Sequence, residues 1–350
     1  MSDRGRAAGP QAPAVLVTGA TGFLGAALVR RLLAGGTRVR VLVRSAAKAG
    51  AMAAQGAEPV VGEITDRLAV ATALDGVAVV YHLAGRLLVP GVPTEEYRRT
   101  HVEGTWLLLD RCRRAPNVER VVHCSTTGVL GVTGDRPVDE SAPLRPTNVY
   151  EATKAEAELA VRGAIRDGVP AVIVRPGLVY GPGDLHLLGF FRAVLGRRFR
   201  PIGRRTVWLH PIYIADMTEA LVRCGGNPAA VGECFHVAGR EPVTLFGLAE
   251  AIARAGGARV PAGRIPLCVA RAVSEAGDRL PPRLKPAAPL TRSRLDFLTH
   301  SRVYDVTKAQ LLLDFAAATD LPTGAARTMA WYRGEGHLAP GPTTSAAVRA

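Results

Sequence analysis

The chain has 350 residues, of which 48% are hydrophobic and 21% charged, and its formal net charge at pH 7 is +14. This length and composition predict a globular enzyme with one large α/β domain or two interleaved lobes. No apolar run reaches about 18 residues without a charge or a proline, which excludes a membrane span, and five scattered cysteines without a CxxC pair exclude a metal site and predict reduced, cytoplasmic thiols.

Both ends of the chain are predicted to be disordered tails. Residues 1–12 mix charge with Gly and Pro and lack the apolar segment of a signal peptide. Residues 339–350 are rich in Pro, Thr and Ala. The folded part is therefore expected within residues 13–338.

The first predicted strand, Val15–Thr18, leads into three glycines spaced three apart, Gly19, Gly22 and Gly25, and then into an amphipathic helix. In a dinucleotide site, one such glycine permits the tight turn, one lets the backbone approach the pyrophosphate, and one lets the helix pack on the strand. The helix N-terminus supplies free N–H groups for the phosphates. A tight turn without a ligand is the alternative, but the place between a clear strand and a clear helix favours a cofactor.

Further strands alternate with helices along the first half of the chain. We predict strands at Arg38–Val43, Glu58–Val61, Val77–Leu83, Val118–Cys124 and Ala171–Val174, and helices that include Thr100–Arg114 and Ala152–Arg166. This alternation predicts an α/β fold with a doubly wound parallel Rossmann sheet over residues 13–180.

The end of the second strand bears on which nicotinamide cofactor binds. An NAD site usually places a carboxylate there for the ribose 2′-hydroxyl, whereas this chain has Arg44, with Lys48 soon after and no acid. A guanidinium suits a 2′-phosphate. An exposed arginine at a strand end is the alternative, but the missing acid favours NADP(H) over NAD(H).

Tyr150 and Lys154 are four residues apart, so on a helix they share one face. A nearby ammonium lowers the pKa of a phenol from about 10 and makes it a competent acid/base. The hydroxyls of Ser125, Thr126 and Thr127, just after the fifth strand, can hold a substrate carbonyl oxygen. A surface salt-bridge face is the alternative explanation of the pair.

The pattern changes after Gly181, where connectors rich in Pro and Gly separate helices predicted at Leu187–Leu195 and Leu245–Ala255. We predict a smaller C-terminal substrate-binding lobe from residues 181–204 and 241–338, with a late return to the sheet near 205–240, at Cys234–Val237. Six arginines cluster in this part without an intervening acid: Arg192, Arg197, Arg198, Arg200, Arg204 and Arg205. No nucleic-acid-binding pattern accompanies them, so a solvated basic face is favoured over a phosphate-gripping site.

From about Ala14 to Leu338, the ordered motifs of the chain resemble those of the extended short-chain dehydrogenases/reductases. The motifs are TGATGFLG (Thr18–Gly25), YHLAG (Tyr81–Gly85), HVEGT (His101–Thr105), CSTTGVLG (Cys124–Gly131), YEATK (Tyr150–Lys154), RPGLVYGPGD (Arg175–Asp184), HPIYIADM (His210–Met217) and YDVTKA (Tyr304–Ala309).

The resemblance implies that Tyr150 is the acid/base, that Lys154 holds the nicotinamide ribose, and that Thr126 is the catalytic hydroxyl, with Ser125 beside it as a substitute. It also implies a homodimer through the helices at Thr100–Arg114 and Tyr150–Arg166. The residues expected to bind the cofactor are Gly19, Thr21, Gly22, Phe23, Leu24, Gly25, Arg44, Lys48, Glu63, Ile64, Leu83, Ala84, Gly85, Tyr150, Lys154, Pro176 and Val179.

The chain departs from the family pattern at three places. Leu130 stands where the family often has tyrosine. His101 stands where the family usually has asparagine, and it either steadies a helix kink or a water with a ring nitrogen or is a packed core histidine, the interpretation favoured here. Glu63 replaces the usual aspartate of an adenine-contacting motif, so the contact of Ile64 is retained and the polar contact is weakened.

The pattern is most similar to members like 3β-hydroxysteroid dehydrogenase and dihydroflavonol reductase, which implies a ketone or secondary alcohol on a bulky apolar small molecule as substrate. A nucleotide-sugar epimerase, dehydratase or reductase is one alternative, and an NADP-sensing protein without turnover is another. Candidate pocket residues, each of which could equally be core, are Leu87, Leu88, Val89, Leu185, Leu187, Leu188, Phe190, Phe191 and His210.

Overall fold

A computed structural model of the chain describes residues 13–89, 91–281, 284 and 290–340. The predicted tail of residues 1–12 and residues 341–350 of the second tail lie outside the described residues. The strands are β1 (Ala14–Thr18), β2 (Val39–Val43), β3 (Glu58–Val61), β4 (Val77–His82), β5 (Arg120–Cys124), β6 (Gly134–Val138), β7 (Ala171–Pro176), β8 (Leu178–Tyr180), β9 (Trp208–Leu209), β10 (Pro211–Tyr213), β11 (Cys234–Val237), β12 (Val243–Thr244) and β13 (Arg302–Tyr304).

Seven of these strands form one parallel sheet in the order β11-β7-β5-β4-β1-β2-β3. Every residue of β5 and β7 is buried, as expected for central parallel strands that are covered on both faces. The strand order reverses between β1 and β4, which is where doubly wound sheets bind their ligands, at the carboxyl ends of the strands. The predicted fold class is therefore confirmed.

The helices are α1 (Phe23–Ala34), α2 (Ala46–Ala53), α3 (Arg67–Leu74), α4 (Thr94–Arg98), α5 (Gly104–Arg113), α6 (Val149–Arg166), α7 (Leu188–Leu195), α8 (Ile214–Gly226), α9 (Leu245–Gly256), α10 (Leu267–Asp278), α11 (Arg292–Thr299), α12 (Thr307–Leu313) and α13 (Leu321–Gly334). Apolar side chains of α1, α2, α8 and α12 cover one face of the sheet. Those of α3, α5 and α6 cover the other face.

The C-terminal segments build their own apolar cores beside the sheet. Helices α7, α9 and α13 pack into one cluster with β8 to β10, and α10 and α11 form a smaller one. Three short pairs of strands, β6 with β13, β8 with β10 and β9 with β12, tie these segments to the loops that follow the central strands.

Two features differ from the sequence-based prediction. The helix predicted over Thr100–Arg114 begins at Thr94 as α4, passes through a π-helical turn at Arg99–Glu103 and continues as α5. A π-turn inserts one residue into the helical hydrogen-bond ladder, and the 3.6-residue period does not reveal it. The short strands outside the central sheet were missed, because two to five residues carry no recognisable period.

Candidate active site

The glycine turn after β1 closes against the end of β4. Gly19 has a φ of +71°, and a Cβ there would lie 2.6 Å from the Leu83 carbonyl oxygen. A Cβ on Gly25 would lie 2.1 Å from the Gly19 carbonyl oxygen. Only glycine fits at these two positions, which brings the turn, the start of α1 and the loop after β4 into direct contact.

The N-terminus of α1 has no side-chain cap and no acid in its first turn. Thr21 and Gly22 are exposed there, whereas Phe23 and Leu24 are partly buried against the C-terminal core. The unpaired N–H groups of such a first turn, with the positive end of the helix dipole, suit phosphate oxygens. The glycine turn and this helix start therefore fit a dinucleotide.

Just after the carboxyl end of β2, the strand next to β1, Arg44 and Lys48 are exposed. Within the described residues, neither side chain makes a hydrogen bond or an ion pair. Glu63, the predicted adenine contact, is exposed and paired with Arg99 at 2.7 Å. Ile64 packs on α5, where a Cβ on Gly104 would lie 2.6 Å from its Cγ2.

Thr126, Tyr150 and Lys154 come together where β5 ends and α6 begins. Thr126 accepts a hydrogen bond from the Gly128 amide at 3.1 Å, and its hydroxyl is close enough to the Tyr150 phenol to lower the pKa of the phenol. Both residues are partly exposed. Lys154 is buried below them, and its Nζ donates to the Cys124 carbonyl oxygen at 2.7 Å. The structure thus brings the three predicted groups together.

The start of α6 is fixed by a variant of the capping box, in which the N3 carboxylate reaches the residue before the N-cap. The Asn148 side chain accepts from the Glu151 amide at 3.0 Å, and the Glu151 carboxylate accepts from the Thr147 amide and hydroxyl at 2.7 Å each. Because Tyr150 lies in this first turn, the cap sets the position of its phenol.

The protonation of the Tyr150 phenol differs from the sequence-based prediction. Burial raises its pKa above the ordinary value, the nearby Cys124 thiol adds to this, and the hydrogen bond with Thr126 acts in the opposite direction. Burial also lowers the pKa of Lys154, whose ammonium is bonded to a carbonyl and is not among the groups that shift the phenol. The phenol is therefore held in its neutral form, which is the form that donates a proton.

Ser125, predicted as a substitute for Thr126, is oriented differently. Its hydroxyl is buried and donates to Glu158 Oε2 at 2.8 Å. Glu158 accepts two further bonds from the buried Arg175 guanidinium, at 2.6 and 3.0 Å. Ser125 thus belongs to a buried ion-pair network, which leaves Thr126 as the hydroxyl beside the phenol.

The remaining predicted cofactor contacts lie on the loops around these groups. Ala84 donates its amide to Thr18 Oγ1 at 3.2 Å, and a Cβ on Gly85 would lie 3.8 Å from Lys154 Nζ. Pro176 is buried and Val179 partly buried. The carbonyl oxygen of Pro176 accepts from the hydroxyl next to Thr126, that of Thr127, at 2.9 Å.

The predicted pocket residues divide into two groups. Exposed side chains on the loops after β4 and β8 belong to Leu87, Leu88, Val89 and Leu185. Leu187, Leu188 and Phe191 are buried in the C-terminal core. His210 is also buried, with its Nε2 2.8 Å from the Gly239 carbonyl oxygen. Phe190 is partly buried, edge to face with Phe199 at a centroid distance of 5.0 Å. Buried core positions and exposed loop positions are both occupied by leucine and phenylalanine here, so the sequence did not distinguish them.

The arginine cluster, from Arg192 to Arg205, is exposed on the surface of the C-terminal lobe. Arg192 and Arg200 donate to the carbonyl oxygens of His337 and Ala262. Within the described ranges, no contact joins the cluster to Tyr150. No group of metal-ligating side chains is found in the part of the chain that the structure describes. Among the same residues, no helix has the length and apolar character needed to cross a bilayer.

A protein-family model, described as the NAD dependent epimerase/dehydratase family, matches residues 15–238. One relative is the 4-hydroxy-2-methyl-3-oxo-4-farnesyl-3,4-dihydroquinoline-1-oxide ketoreductase of Stigmatella aurantiaca. It is 33% identical over 285 residues, which are 80% of this chain and 84% of the relative. Another, the 3 beta-hydroxysteroid dehydrogenase/Delta 5-->4-isomerase of Mycobacterium tuberculosis, is 32% identical over 308 residues, or 83% and 81% of the two chains.

Solved structures show the same architecture. The protein gox2253 is 27% identical with a TM-score of 0.77, covering 93% of this chain and all of its own. MoeE5, solved with UDP-glucose and NAD, is 25% identical with a TM-score of 0.73, covering 92% of this chain and 99% of its own.

Proposed function

Because the chain belongs to the NAD-dependent epimerase/dehydratase family of extended short-chain dehydrogenases/reductases, we propose that it is an NADP(H)-dependent ketoreductase acting on a bulky apolar small molecule. The observation that carries this proposal is the meeting of Thr126, Tyr150 and Lys154 where β5 ends and α6 begins, with the phenol partly exposed and the lysine buried below it. Relatives named as a ketoreductase and a steroid dehydrogenase support the substrate class.

Each of the three side chains has one part in this reaction. Tyr150 gives its proton to the oxygen of the ketone as negative charge develops there. Thr126, which the Gly128 amide fixes beside the phenol, would donate its hydroxyl proton to the same oxygen of the ketone. Lys154, buried below the phenol with its ammonium on the Cys124 carbonyl oxygen, would hold the ribose of the nicotinamide. A bound nicotinamide would supply the hydride.

The cofactor would lie along the crevice from the glycine turn to the end of β2. The first turn of α1 would hold the pyrophosphate, and Arg44 and Lys48 would meet the 2′-phosphate. The loop of Leu83 to Gly85 would line the cofactor, and Pro176 and Val179 would contact its nicotinamide side. The 2′-phosphate assignment is supported by the exposure of both cations and by the lack of any partner for them in the described part of the chain.

Replacing Arg44 by Ala is expected to weaken NADPH binding about 10- to 100-fold, because a charge-assisted hydrogen bond contributes about 1.5–3 kcal/mol. NADH binding should change little, since NADH lacks the phosphate. Both dissociation constants can be measured by fluorescence titration, with Arg204→Ala, another exposed arginine, as the matched control. Equal losses for the two cofactors would reject the phosphate role.

The substrate side would be formed by the exposed apolar loops at Leu87 to Val89 and Leu185, with the C-terminal lobe as the wall. The likeness to MoeE5 favours a nucleotide sugar as the second candidate, with the arginine cluster as its diphosphate site. NADPH oxidation should be followed with ketosteroids, flavanones and UDP-sugars. Turnover of the apolar ketones alone is expected, and turnover of a UDP-sugar alone would reverse the assignment.

A homodimer is proposed through α5 and α6, which pack against each other. Trp106 is 63% exposed on α5, beside a groove that Val102 and Leu107 also line, and Leu159 is 56% exposed on α6. Trp106→Asp is expected to convert a dimer into a monomer in sedimentation velocity, because it puts a charge into an apolar contact. Leu311→Asp, at a leucine that is 77% exposed on α12, is the control. A parent chain that sediments as a monomer would reject this interface.

A further inference from the structure

The loop after β4 is held by side chains from three other elements. The amide of Ala84 donates to Thr18 Oγ1 at 3.2 Å, that of Arg86 to His101 Nε2 at 2.9 Å, and that of Val89 to the Tyr97 phenol oxygen at 2.8 Å. Since the proposed cofactor contacts Leu83 to Gly85 belong to this loop, these bonds fix one wall of the proposed cofactor site.

His101 is also bonded to the helix that carries the catalytic pair. Its Nδ1 lies 2.8 Å from the Thr153 hydroxyl, and Thr153 stands between Tyr150 and Lys154 on α6. The imidazole meets the Tyr150 ring edge to face, with centroids 5.7 Å apart and planes at 77°. A Cβ on Gly85 would lie 3.4 Å from His101 Nε2 and 3.8 Å from Lys154 Nζ. The loop, the imidazole and the lysine therefore meet at one point.

The hydrogen bonds fix which ring nitrogen of His101 carries the proton. Nε2 accepts from the Arg86 amide, so its lone pair is in use and the proton lies on Nδ1. That N–H donates to Thr153 Oγ1, whose own proton goes to the Val149 carbonyl oxygen at 2.9 Å. Burial, and next the Lys154 ammonium, lower the pKa of His101 to about 3. The imidazole is thus a neutral donor and acceptor with both positions satisfied.

The backbone around His101 is equally constrained. His101 is the central residue of the π-helical turn Arg99–Glu103, and its carbonyl oxygen accepts from the Thr105 hydroxyl. The same hydroxyl lies 2.9 Å from Nε2 of the buried His82. A π-turn redirects side chains relative to a regular helix, and here it directs the imidazole between the loop and α6.

We propose that His101 is a positioning residue, in which one ring nitrogen holds the loop after β4 against the cofactor and the other holds α6 so that Tyr150 and Lys154 face that loop. The inference rests on the proposed function and goes beyond it, because it makes cofactor binding and catalysis depend on two different bonds of one side chain. The favoured sequence-based interpretation, a packed core histidine, accounts for the burial and not for these two bonds.

Three substitutions of His101 test separately the effect of its bond to Arg86 and the effect of its bond to Thr153. His101→Gln keeps an acceptor that reaches as far as Nε2 and loses the bond to Thr153. We expect it to lower kcat about 10- to 100-fold, since misplacing a reacting group by about 1 Å costs on the order of 10²-fold. His101→Asn keeps a donor near the place of Nδ1 and loses the bond to Arg86, so it should raise the Kd for NADPH about tenfold with a smaller effect on kcat. His101→Leu should show both losses.

Hydrogen exchange measured by mass spectrometry tests the same coupling without turnover. His101→Leu should speed exchange in the peptides covering residues 83–89 and 149–154. The matched control is His123→Leu, because His123 is equally buried and neither of its ring nitrogens has a hydrogen-bond partner in the described part of the chain. It should leave both peptides protected.

Unchanged exchange in both peptides of His101→Leu, together with kcat and Kd within about threefold of the parent, would overturn the proposal. Parallel losses of kcat and affinity in all three variants, matching their loss of folded protein on thermal unfolding, would overturn it as well. A parent chain that binds no NADPH and reduces no ketone would reject the proposed function instead. In that case the exchange experiment still decides whether His101 couples the loop to α6.

Discussion

Tyr150→Phe is expected to lower kcat for ketone reduction about 10²- to 10⁴-fold, the range of a lost general acid, while the Kd for NADPH stays near that of the parent. Burial raises the pKa of the phenol, so the phenol is neutral, and the Thr126 hydroxyl lies beside it. Phenylalanine keeps the ring and its edge contact with His101 but removes the proton that the reaction needs. Steady-state kinetics at saturating NADPH give kcat, and fluorescence titration gives the affinity.

The matched control for this substitution is Tyr332→Phe. Tyr332 is buried, its phenol oxygen has no hydrogen-bond partner among the described residues, and it packs on Phe191 in the C-terminal core. The same loss of a hydroxyl there should leave kcat unchanged. A Tyr150→Phe enzyme that retains the parent kcat would show that another group donates the proton.

The parts of the fold that the sequence predicts are those with a repeating physical cause. Central strands such as β4 and β7 are buried on both faces, so they are continuous apolar runs bounded by turns. The glycine turn is equally predictable from the sequence, because the contacts of Gly19 and Gly25 leave no room for a Cβ and therefore require glycine. By contrast, the π-turn at Arg99–Glu103 depends on where α4 meets the loop after β4, which no local pattern encodes.

The candidate site shows the same division. The four-residue spacing of Tyr150 and Lys154 places both on one face of α6, and helix geometry alone predicts this. The family resemblance favoured Thr126 over Ser125, but the residues alone did not distinguish them. Adjacent residues of an extended segment point in opposite directions, and only the packed structure shows which direction leads to the phenol. Ser125 is turned to Glu158 because a buried carboxylate needs donors.

Glu158 was not singled out in the sequence, although it continues the face of Tyr150 and Lys154 by one more turn. It has no exposed side-chain surface, and neither has its partner Arg175 on β7. Burial raises the pKa of the Glu158 carboxyl, but the hydrogen bonds and charge of Arg175 outweigh this and leave the pKa below its ordinary value of 4.5. The pair therefore ties α6, the helix of the catalytic groups, to the centre of the sheet.

Glu158→Gln is expected to lower the free energy of unfolding by about 3–5 kcal/mol, because removing one partner leaves the other charge buried and uncompensated. Glu156→Gln, two residues away on the same helix, is the matched control. Glu156 pairs with Arg98 at the surface, where both side chains are about 40% exposed, and such pairs contribute about 0–1 kcal/mol. Urea unfolding measures both changes.

The effect of Glu158→Gln should also depend on pH in one direction. The folded chain holds the pKa of Glu158 below the value near 4.5 that applies in the unfolded chain. The charged carboxylate therefore contributes its full stability above about pH 4.5 and loses it as the pH falls through the folded-state pKa. The difference in unfolding free energy between the parent and Glu158→Gln should accordingly become smaller on acidification. A difference that becomes larger would mean that the neutral acid, and not the ion pair, holds α6 to the sheet.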